Sequence, residues 1–207
     1  ASVLYNTYYS NCSVVNGNLS IQNTIDQKPI IENIETVLKN VLLQKLSGLQ
    51  NLSFTNLKGI EGSLKINNNI SLLSCEFPNL ESFNDLSIDI ARNKELLKVP
   101  EFEKLSIKSG FITIDNNAKL NSLSGLNKIG RPAKITIKNN ASLTSITGLK
   151  GIHQNDNIYF NSNWQLIISD NAKLNDISGL NYPFYADMLT ITNNPNLKLC
   201  ANEGICN

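Results

Sequence analysis

The chain has 207 residues, 41% of them hydrophobic, enough to bury a core in one large domain or two small ones. Its 18 basic and 17 acidic residues leave a net charge of +1, so nothing marks nucleic acid or an anionic membrane as a partner. No apolar run approaches the ~20 residues of a membrane-spanning helix, so no transmembrane segment is expected.

The first stretch, ASVLYNTYYSNC, lacks the basic and apolar regions of a signal peptide; it is compatible with the remainder left after one is removed. Residues 1–18, with Tyr5, Tyr8 and Tyr9, are expected to form an N-terminal cap. A repeat then begins. The segments ITIDNNAKLNSLSGLNKIG (Ile112 to Gly130) and ITIKNNASLTSITGLKGI (Ile135 to Ile152) are near copies, 23 residues apart. Aligning the third residue of each places Ile21, Leu43, Ile66, Ile90, Ile114, Ile137, Ile168 and Ile191 in one column, at intervals of 22, 23, 24, 24, 23, 31 and 23. Self-similarity at such a period marks a solenoid.

Two residues before each column residue stands another apolar one: Leu19, Val41, Leu64, Ile88, Ile112, Ile135, Leu166 and Leu189. The residue between them is mostly polar, as in Lys65, Asp89, Thr113, Thr136 and Thr190. This period of two predicts a short strand with one face buried. Leucine recurs six residues after the column, from Leu49 to Leu197, and a small or apolar residue nine after it, from Leu52 to Cys200. One coil cannot bury these side chains alone, whereas stacked coils bury them against each other. The predicted fold class is mainly β: a parallel β-helix, or solenoid, of about eight ~23-residue coils. It forms a single domain, 1–207, with coils over 19–199 and a C-terminal cap over 200–207.

In chain order, the first break in rhythm is Ile30 to Leu42, where Ile31, Ile34, Leu38 and Val41 are spaced as on a short helix. Three residues after the column lies asparagine: Asn69, Asn93, Asn117, Asn140, Asn171 and Asn194. Asparagine tolerates left-handed backbone, so the turn after each strand is expected there. The stacked amides are expected to form a structural ladder rather than an exposed ligand-binding row. Gly125-Leu126, Gly148-Leu149 and Gly179-Leu180 mark a further turn and an inward residue. The 31-residue interval carries eight extra residues within GIHQNDNIYFNSNW, Gly151 to Trp164, which must leave the rod as a loop. Its His153, Tyr159, Phe160 and Trp164 form a candidate partner-binding loop; the alternative is that the aromatics fold back over the loop's own core.

The four cysteines are Cys12, Cys75, Cys200 and Cys206. A Cys200–Cys206 bridge is favoured as a clamp on the terminal loop. For Cys75, an inward position leaves a buried free thiol and a bridge to Cys12 as alternatives. Stacked coils hold the two beyond the ~7 Å Cα limit of a disulfide unless the N-terminal segment folds back along the rod. Asn11, Asn18, Asn51, Asn69 and Asn140 head candidate N-glycosylation sequons.

The opening NCSVVNGNLSIQN, with Cys12 ahead of Gly17-Asn18-Leu19-Ser20-Ile21, resembles the start of the receptor L domain, the ligand-binding module of insulin and EGF receptors. LKGIEGSLKINNN (Leu57 to Asn69) and the later SGLNKIG and ITIKNN segments are similar to that family's repeats. The resemblance covers about residues 11–200 and implies a right-handed parallel β-helix capped at its ends. The regular grammar and the terminal C-x5-C look closer to L-domain relatives in bacterial, nematode and fungal surface proteins. The Cys-rich module and the kinase of the receptors are lacking, so receptor-type signalling is not implied.

Motifs of catalysis are absent: no G-x-S-x-G, no phosphate-binding glycine loop, and only one histidine, His153, with no nucleophile motif beside it. Without CxxC and with a single histidine, no metal site is expected, and no cofactor. The expected function is a non-catalytic protein–protein recognition module, secreted or at the cell surface, with a protein partner. The alternative is a self-associating structural protein of a surface layer, fibre or matrix, since solenoid ends expose strand edges.

Overall fold

The computed structural model describes residues 2–3, 12–22, 30–83, 87–105, 107, 109–130, 132–152, 164–180 and 186–198. β1 (Ser2–Val3) precedes the repeats, and the first coil contributes β2 (Val14–Val15) and β3 (Asn18–Gln22). The second holds β4 (Ile30–Ile31), β5 (Thr36–Val37) and β6 (Val41–Gln44), and the third β7 (Asn51–Phe54), β8 (Gly59–Ile60) and β9 (Leu64–Asn67). The fourth holds β10 (Ser74–Glu76), β11 (Ser82–Phe83) and β12 (Ser87–Ala91). Each later coil keeps one strand among the described residues: β13 (Phe111–Asp115), β14 (Lys134–Lys138), β15 (Gln165–Ser169) and β16 (Met188–Thr192).

The principal sheet has nine parallel strands in the order β1-β3-β6-β9-β12-β13-β14-β15-β16. Its register carries the sequence column straight through the molecule, from Ile21 opposite Leu43 to Ile168 opposite Ile191. Eight column strands thus stack through seven turns, the β-solenoid that the repeat predicts. Alternation explains each strand. Ile112 and Ile114 are buried while Thr113 between them is half exposed, and β-branched residues suit this pleated, half-buried surface. The 31-residue interval leaves the register intact, since Ile137 still pairs with Ile168.

Two smaller sheets, β10-β7-β4 and β11-β8-β5-β2, form the other faces of the first four coils. Beyond them these faces shrink to isolated bridges, such as Lys98 with Ser122 and Ser145 with Asp176. Short 3₁₀ turns then take the corner: Ser124–Leu126, Thr147–Leu149 and Ser178–Leu180. The glycine in each turn lies against the preceding coil. A Cβ on Gly148 would stand 2.1 Å from the Leu123 carbonyl oxygen, so only glycine lets the coils close. The core is one continuous cluster. At its centre Phe54, Phe77 and Phe102 stack with ring centroids 5.0 and 6.1 Å apart.

Two expectations are corrected. Ile30 to Leu42 forms β4, β5 and the start of β6, and no α-helix occurs among the described residues. Ile31, Ile34, Val37 and Val41 are all buried, but Leu38, inward on a helix, is 42% exposed. The three-residue spacing arises because each short side of the coil turns one residue inward. Backbone groups here bond to neighbouring coils instead of to a local helix, as Leu38 N to Val15 O (2.9 Å) and Glu61 N to Val37 O (2.9 Å) show. The left-handed residue of each turn is also one place earlier than expected. Lys45, Asn68, Arg92, Asn116, Asn139, Asp170 and Asn193 have φ between 55° and 59°, each two residues after its column residue.

Candidate functional site

The asparagines three after the column hold the sheet in register. Asn69 donates from its backbone N (3.2 Å) and Nδ2 (2.9 Å) to Oδ1 of Asn93. The same paired bonds run from Asn93 to Asn117, Asn117 to Asn140, Asn140 to Asn171 and Asn171 to Asn194. Each Nδ2 also donates back to the preceding coil's column carbonyl, as Asn117 does to Ile90 O at 2.9 Å. At the head of the row the Leu46 N–H donates to Asn69 Oδ1 at 2.9 Å. A shorter row, absent from the sequence expectations, lies at the other edge of the sheet. There Asn18 Oδ1 accepts from Asn40 N, and Asn40 Oδ1 from Ser63 N.

With both margins pinned, the outward face of the nine-stranded sheet is the broadest regular surface among the described residues. Its middle row reads Lys65, Asp89, Thr113, Thr136, Ile167 and Thr190, in register strand to strand. The row at the strand starts reads Ser87, Phe111, Lys134, Gln165 and Met188. Phe111 is 58% and Met188 40% exposed, three strand spacings apart; at ~4.8 Å each this is roughly 14 Å. The opposite margin is polar and internally paired. Asp115 faces Lys138 Nζ at 3.6 Å and accepts from Asn139 Nδ2 at 2.9 Å. Asp89 accepts from Asn67 Nδ2 at 2.8 Å. The strand-start margin thus carries two exposed apolar side chains among polar ones, opposite a margin that is polar and internally paired.

The described residues on either side of the insertion are Ile152 and Trp164, and Trp164 stands one residue before Gln165 at the strand-start margin. His153, Tyr159 and Phe160 lie outside the described residues. Trp164 is only 3% exposed and packs in the core, as in the alternative reading in which the aromatics fold back. Its backbone N donates to Asp187 Oδ2 at 2.6 Å, and its carbonyl accepts from Asp187 N and Met188 N. Gly110 and Ala133 hold the equivalent position in the two preceding coils, so nothing in the repeat marks it as inward.

Cys12 and Cys75 are free thiols and are not bonded to each other. Cys75 stacks in register with Leu52 in the core, and burial pushes its thiol far above the usual range. Cys200 and Cys206, with Asn11, lie outside the described residues. The candidate sequons at Asn69 and Asn140 fall on ladder positions. Both side chains are fully buried, and each Nδ2 that a glycan would occupy already donates to the ladder and to a carbonyl. Asn18 is half-buried, while Asn51 is exposed with Oδ1 accepting from Ser74 Oγ at 2.8 Å.

Among the described residues no group of three or more His, Cys, Asp or Glu side chains comes together. No helix among them is long and apolar enough to cross a membrane. Phe111 and Met188 were missed by the sequence expectations, although a large apolar residue immediately before an inward pair was a readable signal for the outward face. Against known proteins, a family model for the receptor L domain matches residues 11–129, more than half of the chain. No curated protein and no solved structure matches.

Proposed function

The chain belongs to the receptor L domain family, and from that premise we propose that it is a non-catalytic protein-recognition module, acting outside the cell or on its surface. The family is one of receptor ligand-binding modules, which supports protein binding as the general activity. The 207 residues act as one unit in this reading. The observation that carries it is the strand-start margin of the outward face, where Phe111 and Met188 are exposed on a rigid sheet. Exposed large apolar side chains on a rigid sheet are the type of anchor around which protein interfaces form. Tyr159 and Phe160 of the insertion are proposed as further contacts.

The test is a panel of extracellular protein ectodomains passed over the immobilised chain. Phe111→Asp and Met188→Asp should each weaken a captured partner by at least about tenfold, as loss of a central anchor does. The melting temperature should not move, because both side chains already face water. Tyr159→Ala and Phe160→Ala report separately on the insertion. No binder at micromolar concentration, or a binder indifferent to all four substitutions, overturns the assignment.

A further inference from the structure

The two ends of the principal sheet differ. At the first coil β1 pairs onto β3, and Leu19, Ser20 and Ile21 are all buried. At the last, β16 pairs only with β15 among the described residues, and its inward Leu189 and Ile191 are half exposed where Leu166 and Ile168 one coil earlier are fully buried. Leu197 is likewise half exposed where Leu174 is buried. The strand is a regular five-residue segment, Met188-Leu189-Thr190-Ile191-Thr192, with unbroken register to β15. It contains no lysine, proline or bulge, the devices that usually blunt a strand edge.

The direction of its backbone groups can be read from the earlier coils. There the residue two before the column donates to the next coil, as Leu19 does to Asn40 O and Val41 to Ser63 O, both at 2.9 Å. The residue two after it does the same, as Asp170 does to Thr192 O at 3.2 Å. Met188 N turns the other way, to Trp164 O. The groups of β16 directed away from the sheet therefore belong to Leu189, Ile191 and Asn193.

We propose that this edge is a dimer interface, covered by β16 of a second copy of the chain in antiparallel pairing about a two-fold axis at Thr190. Leu189 of one copy then faces Ile191 of the other. These are the residues whose N–H and C=O groups both point outward, so each pair exchanges two backbone hydrogen bonds, and symmetry repeats the pair. Both side chains face inward, so the two cores join across the axis. Thr190 meets Thr190 on the outward face. No ionisable side chain lies within the strand, and Asp187 is brought opposite Asn193, so no like charges meet. Among the described residues the other end of the sheet is the two-residue β1, too short to match the five-residue β16; the association closes at two copies instead of growing a filament. An axis normal to the sheet leaves both outward faces pointing the same way, which would present two recognition surfaces to one partner.

Sedimentation velocity and light scattering on the 207-residue chain, from low micromolar to near-millimolar concentration, test this. The mass should rise from 22.9 kDa to twice that value and stop. Thr190→Lys sets two ammonium groups face to face at the axis and should weaken the dimer by about tenfold or more, with an unchanged circular dichroism spectrum. Thr190→Glu should do the same, and an equimolar mixture of the two variants should restore the dimer. A constant monomer, a mass climbing past two copies, or variants that assemble like the wild type and gain nothing from mixing would each overturn the proposal.

Discussion

Adjacent asparagines in the turn do different work. Asn116 is exposed and takes the left-handed conformation, φ 56°, while Asn117 beside it is fully buried and carries the ladder. Removing the second amide should cost far more than altering the first. In Asn117→Ala the Asn93 N–H and the Ile90 carbonyl both lose a buried partner; at about 1–3 kcal/mol per orphaned group the loss is ~3 kcal/mol or more. Asn116→Gly should be nearly neutral, because glycine enters left-handed backbone without strain. Urea unfolding of the two variants checks this, and an Asn117→Ala protein as stable as its parent would refute the structural role of the ladder.

The corner of each later coil depends on close backbone approach. The Ser124–Leu126, Thr147–Leu149 and Ser178–Leu180 turns place a glycine against a carbonyl of the coil before, and the following leucine in the core. In earlier coils Phe54 ends β7 and Phe77 follows β10, and their rings stack in the core where no 3₁₀ turn is present. Gly148→Ala would put a methyl 2.1 Å from Leu123 O, so the coils must part. The expected cost is about 1–3 kcal/mol, the range for overpacking a filled site. Thermal melting measures it, and an unchanged midpoint would mean that the coils separate freely at this corner.

Among the described residues, every asparagine-to-asparagine bond of the ladder joins residues 23 to 31 positions apart, so the ladder ties coil to coil. The ladder is unbroken by the insertion, because Asn140 and Asn171 remain bonded across the 31-residue interval. Deleting residues 154–161 restores the 23-residue spacing and should leave the circular dichroism spectrum and melting temperature close to those of the parent. A deletion variant that fails to fold would show that the insertion supports the core. One that folds but loses its partner would assign recognition to Tyr159 and Phe160.

What the sequence determined by itself was the period, the inward positions and the succession of strands. These follow from which side chains avoid water, and that pattern is written locally: Ile112 and Ile114 declare a buried face without knowledge of any neighbour. What it could not determine was where the backbone hydrogen bonds go. Ile30 to Leu42 carries a spacing that suits a helix, and only the coils on either side convert it to strands, leaving Leu38 in water. The same holds for Trp164, which the fold draws into the core, and for Asn69 and Asn140, whose sequons are consumed by the ladder. The edge position of β16 among the described strands is likewise a tertiary decision, because an identical strand is interior or edge according only to whether another strand lies beyond it.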